Sequence, residues 1–347
     1  MNILQVGLGN FGKRHLEAWH RLGLGDQLWI CETNESQWRE TARYRFPQER
    51  MVRALPMVMD RVDIVDIVTP TQTHFDLCRE ALQCGKDVFV EKPMTMTSEE
   101  AQAIAGLAER QQRLVQVGFY YRFHPASQRL KAEIQKGTLG RLRYLSGNFM
   151  GFKRARTDVG VTHTDGIHFL DLFNWLTDSV PVQVYAVCRD HFGRGLEDFS
   201  VVLLSYPGGA CAKVESGYIQ PGRWKDKVVS GAMTSKEIMV VGEKATAEID
   251  FEMESLTIHD VQHEPRNGTW DAVVGNSVQP GLEPCDPVQM VCRELEAFLS
   301  GVRNRSAVSP GPMEGGVHLA VLMESIYESA RTGAPVQTGL LADGIRL

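Results

Sequence analysis

The chain reads as an α/β protein in two parts, an N-terminal doubly wound parallel sheet followed by an α/β domain built on a large, mostly antiparallel open sheet. Three observations predict this. An apolar run, Ile3-Leu4-Gln5-Val6, passes directly into Gly7-Leu8-Gly9-Asn10-Phe11-Gly12 and then into a helical pattern carrying Leu16, Trp19 and His20. From Met1 to about Phe119, strand and helix patterns alternate, as a parallel sheet with crossover helices requires. After Arg122 the pattern becomes one helix pair and then a series of alternating strand runs, the mark of antiparallel pairing.

Taken in order, the first strand turns at Gly7, Gly9 lets backbone approach a pyrophosphate, and Gly12 lets the following helix pack close to the sheet. Asn10 and Phe11 complete this loop, and the pyrophosphate would sit on the helix N-terminus. The second strand, Gln27 to Cys31, ends at Glu32, about 20 residues beyond the glycines, where such sheets place an acid that bonds the adenosine ribose. A carboxylate there repels a 2′-phosphate, and Thr33 and Asn34 supply no cation to bind one, so the expected cofactor is NAD rather than NADP. Val62 to Val68 is a strand ending at Thr69-Pro70, His74 to Cys84 a helix closed by Gly85, and Asp87 to Val90 the next strand. Ser98, Glu99 and Glu100 open a helix running to about Gln111, and Arg113 to Gly118 closes the sheet. The second part shows strand runs at Arg143 to Phe149, Val182 to Arg189, Phe199 to Tyr206, Ala210 to Ser216, Glu237 to Val241 and Ala245 to Phe251. Residues 259–286, rich in Gly, Pro and Asn and lacking periodicity, read as a long loop of open role. Helices at Val288 to Val302 and Gly315 to Arg331 close the chain, which divides into domains at 1–121 and 122–347.

At 347 residues the chain exceeds what one ordinary core supports. A net charge of -6 without a basic cluster excludes a nucleic-acid footprint. The first strand begins at the N-terminus with no long apolar leader, so a cytoplasmic protein without a membrane anchor is expected. The seven cysteines are scattered and form no C-x-x-C pair, which predicts reduced thiols, no disulfides and no structural zinc. His259 and His263 gather no further ligands in sequence, so no metal is expected.

The stretch D-I-V-D-I-V-T-P-T-Q-T-H, from Asp63 to His74, and A-L-Q-C-G-K-D-V-F-V-E-K-P-M-T-M-T, ending at Thr97, resemble the glucose-fructose oxidoreductase / inositol dehydrogenase family (Gfo/Idh/MocA). Glu91-Lys92-Pro93 matches that family's most specific motif, Gly118 to Pro125 is similar to its G-F-x-x-R-F-x-P segment, and Ser329 to Gly333 to its last helix. The resemblance implies a Rossmann domain, nicotinamide-dependent chemistry at a sugar, polyol or nucleotide-sugar carbon, and homodimers or homotetramers. It also implies cofactor contacts from Thr69, Pro70, His74, Glu91 and Lys92, and substrate contact from Arg122. Independently, Lys92 follows the C-terminal end of a parallel strand, where doubly wound sheets bind ligands, and its ammonium can stabilise alkoxide character on a reacting oxygen.

A second constellation runs from Asp158 to Asp171 and contains His163, Thr164, Asp165 and His168. The family pattern has an aspartate four residues before this histidine; here that position is Thr164 and the acid is Asp165. Either Asp165 takes the role from a shifted helix start and orients His168, or His163 and Thr164 line the pocket differently. Asp158 to Val161 and Glu283 to Pro287 resemble segments of nucleotide-sugar 3-dehydrogenases, and Arg122, Lys153, Arg154 and Arg156 could bind a diphosphate. Two other functions fit the same scaffold: a glycosidase acting through transient oxidation and elimination, and a non-catalytic ligand sensor.

Overall fold

The computed structural model describes residues 1–305, 311–341 and 344–345. They pack as two compact units, Met1–Tyr120 with Asp286–Ala320, and Tyr121–Cys285 with Val321–Leu347. The chain thus leaves the first unit after Tyr120 and re-enters it at Asp286.

The first unit holds six parallel strands, β1 (Ile3–Val6), β2 (Leu28–Cys31), β3 (Met51–Val52), β4 (Ile64–Ile67), β5 (Asp87–Glu91) and β6 (Val115–Gly118), in the order β3-β2-β1-β4-β5-β6. The order reverses between β1 and β4, and open α/β sheets bind ligands outside the strand ends at such a reversal. Every residue of β1, β4, β5 and β6 is buried, as expected of strands with both faces covered. Helices α1 (Gly12–Arg21), α2 (His74–Gln83) and α3 (Ser98–Gln111) follow β1, β4 and β5. Thr97 and Glu100 form a reciprocal capping box at the start of α3, satisfying donors that the first turn leaves open. Helices α4 (Pro125–Gln135) and α5 (Ile167–Thr177) belong to the second unit, and α6 (Pro287–Arg303) returns to the first. The reason for that return is apolar: Val291, Leu295 and Phe298 of α6 share one core with Ile3, Leu16, Trp19, Leu28 and Phe89. Phe298 meets Phe89 edge-on at 5.7 Å, and burying each such side chain contributes about 1.5–3 kcal/mol.

The second unit is organised by a ten-stranded sheet. Its strands are β7 (Leu142–Phe152), β8 (Gln183–Arg189), β9 (Phe199–Ser205), β10 (Cys211–Gly217), β11 (Trp224–Lys225), β12 (Met233–Gly242), β13 (Ala245–Asp250), β14 (Ser255–Arg266), β15 (Thr269–Val278) and β16 (Val336–Gln337). Their order is β15-β14-β13-β12-β7-β10-β9-β8-β16, with β11 beside β12; only the β7–β10 pair is parallel. Helix α5 lies directly on β7, where a Cβ at Gly147 would stand 2.7 Å from the Phe169 ring. The residues of the last helix, α7 (Met313–Thr332), belong to the first unit up to Ala320 and to the second from Val321.

The long loop expected over 259–286 is instead mostly a hairpin, β14 turning into β15 through Asn267 (φ 49°) and Gly268 (φ 78°). Asn-Gly with both residues at positive φ is the favoured two-residue hairpin turn. The pattern escaped the sequence because β15 is the outermost strand and almost wholly exposed, so no buried face imposes alternation on it. His259 contacts Ser277 across this hairpin at 2.8 Å. Among the described residues no group of three or more His, Cys, Asp or Glu is placed to hold a metal, and no helix is long and apolar enough to cross a membrane. All seven cysteines are free thiols.

Candidate active site

The glycine loop between β1 and α1 is closed on itself. The Gln5 side chain, buried in the middle of β1, donates from Nε2 to the carbonyls of Gly7 (2.9 Å) and Gly12 (2.8 Å), tying the two ends of the loop together. Gly7 sits at φ 102°, a region open to glycine, and a Cβ on Gly12 would stand 2.3 Å from the Gly7 carbonyl oxygen. A Cβ at Gly9, by contrast, would meet nothing within 4 Å, so the tip of the loop faces open space. Glu32, at the end of β2, accepts from the Leu8 N–H at 2.8 Å and from the Asn34 N–H at 2.7 Å. Its carboxylate therefore stands against the glycine loop with its remaining lone pairs unspent on these two bonds. Asn10 is exposed and Phe11 half-buried in the same loop.

The ends of β4 and β5 are stapled by His74. This first residue of α2 sets Nδ1 2.8 Å from the Pro93 carbonyl and Nε2 2.9 Å from the Thr69 carbonyl, so the Thr69-Pro70 and Glu91-Lys92-Pro93 segments share one fastener. Burial lowers the His74 pKa below 6.5, partly offset by those carbonyls. The Lys92–Pro93 peptide is cis, and the Lys92 side chain is half-buried. Glu91, buried, accepts from the Lys92 N–H at 3.2 Å.

In the second unit, His168 lies in the first turn of α5, 7 % exposed, with its ring edge-on to Tyr121 at 5.0 Å and stacked on Phe149 at 5.9 Å. The five residues before α5, Thr162–Gly166, form a wide π turn rather than an α-helical one. Glu197 holds its start, accepting from the Thr162 N–H at 3.0 Å through Oε1, and a Cβ on Gly160 would collide with that carboxylate. Because such a turn bonds i to i+5, it sends successive side chains to different neighbours. His163 Nδ1 meets the Tyr327 hydroxyl at 2.8 Å, Thr164 Oγ1 the Tyr218 hydroxyl at 2.6 Å, and Asp165 the Lys153 ammonium at 2.8 Å. The Tyr327 hydroxyl donates on to Glu197 at 2.8 Å. Burial, then Asp165, raises the Tyr218 pKa; burial, then Glu197, raises that of Tyr327.

Residues 1–119 match the NAD-binding Rossmann domain of the Gfo/Idh/MocA oxidoreductase family, and residues 127–248 match that family's C-terminal domain. The chain belongs to this family. Its relatives include the UDP-N-acetylglucosamine 3-dehydrogenase of Acidithiobacillus ferrooxidans, 35% identical over 186 residues, a match spanning 52% of this chain and only 56% of that enzyme. The scyllo-inositol 2-dehydrogenase (NAD(+)) of Bacillus subtilis is 27% identical over 80% of this chain and 78% of its own. Among solved structures, levoglucosan dehydrogenase in complex with NADH superposes with a TM-score of 0.81 at 19% identity, over 97% of this chain and 99% of that one, a likeness of fold.

Within this Gfo/Idh/MocA chain the expected site residues fall into the two units. Gly7, Gly9, Asn10, Phe11, Gly12, Glu32, Thr69, Pro70, His74, Glu91 and Lys92 all lie at the C-terminal ends of the first unit's strands or directly after them. Arg122, His163, Thr164, Asp165 and His168 lie in the second. Several of these side chains have charged partners of their own. Asp165, within the π turn, pairs with the Lys153 ammonium at 2.8 Å. Arg122 is committed through Nε (2.8 Å) and Nη2 (2.6 Å) to the buried carboxylate of Asp171 on α5, which leaves it poorly placed to clasp a diphosphate; Arg156 is likewise paired, with Asp158 at 2.8 Å. Sequence reading also passed over Gln5, His15 and Asp66. A polar residue inside the apolar runs of β1 and β4 was the available signal, since strands buried on both faces have no solvent to receive one.

Proposed function

We propose that this protein is an NAD-dependent dehydrogenase that oxidises a hydroxyl-bearing carbon of a sugar, polyol or nucleotide sugar. The observation that carries the reading is the Glu32 carboxylate held against the glycine loop, with two acceptor positions taken by backbone N–H groups and the others suited to a ribose diol. The loop fits a dinucleotide: its tip opens to space where Gly9 lacks a Cβ, and its ends are fixed by Gln5. Gly7 to Gly12, Glu32, the Thr69-Pro70 turn and His74 would hold the cofactor, which when bound supplies a two-electron acceptor. Lys92 bonds the substrate oxygen and stabilises its developing negative charge while the C–H bond breaks. His168 takes the hydroxyl proton, its ring fixed in attitude by Tyr121 and Phe149. Asp165 keeps the Lys153 ammonium beside this helix, and Thr164 with Tyr218 and His163 with Tyr327 present hydroxyl and imidazole groups suited to a polyhydroxylated substrate. The UDP-N-acetylglucosamine and inositol enzymes among the relatives support that substrate class.

The test has two steps. Ligands that co-purify are identified by mass spectrometry, and NAD reduction is followed at 340 nm with the sugars, polyols and UDP-sugars so indicated. Reduction of NAD with one of them is expected; binding without turnover across the panel would refute a dehydrogenase.

A further inference from the structure

One charged cluster in the first unit has no part in the chemistry above. His15, in the first turn of α1 and wholly buried, stands between two carboxylates. Its Nδ1 lies 3.0 and 3.1 Å from the two oxygens of Asp66 on β4, and its Nε2 lies 3.3 Å from Oε1 of Glu91 at the end of β5, an ion-pair contact rather than an aligned hydrogen bond. Trp19 Nε1 donates to Asp66 at 2.8 Å and fixes that carboxylate from the other side. Ionised carboxylates only accept, and a neutral imidazole would present a lone pair to one of them. With both carboxylates ionised, a proton on each ring nitrogen suits this arrangement best. Two buried carboxylates without a cation would be costly to keep charged, and one imidazolium serves both.

Glu91 is boxed in by the same arrangement. A Cβ at Gly118 would stand 2.5 Å from Glu91 Oε1, so that side of the carboxylate is closed by backbone, while Oε2 receives the Lys92 N–H. We propose that His15 is a positioning residue: its permanent positive charge holds Glu91 in place, and Glu91 in turn fixes the backbone from which the Lys92 side chain departs. This rests on the reading of Lys92 and the glycine loop as a dinucleotide site. Burial alone would depress the His15 pKa, but the charge and hydrogen bond of Asp66, followed by the close Glu91 carboxylate, outweigh it and push it up to about 10. His74 on α2, whose ring lies against the Thr69 and Pro93 carbonyls, is also close enough to Glu91 to be influenced by its charge.

The proposal is tested by nitrogen NMR of the imidazole rings and by NADH titration. In the wild-type protein without cofactor, a histidine ring whose protons show contacts to Phe11 and Phe89, which lie 5.5 and 5.6 Å from His15, should remain an imidazolium at pH 8.5. A neutral ring there would overturn the proposal, and this reading needs no variant to fold. In His15→Gln, two buried carboxylates remain without their cation and the site takes up a proton at neutral pH. NADH affinity should then become pH-dependent, about tenfold weaker at pH 6.5 and recovering toward pH 9, whereas wild-type affinity stays flat across that range. A uniform loss at every pH would mark His15 as packing alone and overturn its positioning role. Failure of the wild type to bind NADH at any pH would sink the dinucleotide reading itself, and with it the positioning role of His15; the ring shifts, read without cofactor, would still report the buried charge.

Discussion

Replacing Glu32 by Ala should reduce discrimination between NAD and NADP more than it reduces stability. In the free protein the carboxylate accepts from Leu8 N–H and Asn34 N–H, leaving roughly two of its four acceptor positions for a ribose diol. Each charge-assisted bond to the diol contributes about 1.5–3 kcal/mol. Glu32 is only half-buried, so solvent screening discounts the pair to about 1.5–3 kcal/mol in all, or roughly 10- to 100-fold in NAD affinity. NADP, which brings a 2′-phosphate against the same carboxylate, should gain from the change as repulsion is removed. Isothermal titration of both cofactors against wild type and Glu32→Ala reads the ratio directly. The wild-type ratio should favour NAD by at least about tenfold and fall toward unity in the variant. An unchanged ratio, or equal wild-type affinities, would show that Glu32 serves only the glycine-loop backbone.

Three further outcomes follow from the same geometry. Lys92→Met should leave NADH affinity near wild type while kcat falls about 10²–10³-fold, the usual worth of one donor to a developing oxyanion; normal turnover by the folded variant would remove Lys92 from the chemistry. His168→Ala should lower kcat by about 10²–10⁴, and Asp165→Asn, which leaves Lys153 without its partner, should act mainly on KM; an acidic limb shifted by Asp165→Asn would instead restore that residue to the proton transfer. The third concerns stability against pH. With its pKa raised from 6.5 to about 10 on folding, His15 contributes stability fully below pH 6.5 and loses it as pH rises toward 10. Over that window this group should lower the unfolding free energy of the wild type by about 1.4 kcal/mol per pH unit in urea melts, and a wild-type stability flat in pH there would contradict a buried imidazolium.

What the sequence disclosed was governed by where solvent lies. Both faces of β1, β4 and β5 are covered, so their apolar runs and the glycines that follow were legible, as was the position of Glu32. The alternating strands β7 to β10, β12 and β13 were legible because α5 and its neighbours bury one face only. The β14–β15 hairpin was not, since an edge strand with both faces wet carries no alternation, and only Asn267-Gly268 announced it. At the site, residue types were visible but partners were not. Asp165 and Thr164 stand side by side in sequence, and which of them faces His168 depends on a π turn that no periodicity records. Gln5 and Asp66 went unremarked because each looks like an interruption of an apolar strand, and His15 because it follows the polar Lys13-Arg14 pair of α1, until their partners, distant in sequence, are known.

The Gln5 clasp has a consequence for how a dinucleotide would be received. A glycine-rich segment is ordinarily the floppiest part of a chain, and ordering it on association would subtract from affinity. Here one amide group holds both ends of that segment from the interior of the sheet, so its freedom is surrendered when the chain folds rather than when ligand arrives. The receptor is rigid in advance, and association should proceed in one kinetic phase, without a slow isomerisation of the loop. Loosening the clasp, as Gln5→Leu would do, transfers that ordering from the folding reaction to the binding reaction. The defect would then surface as weaker cofactor retention in a protein whose melting temperature had barely moved.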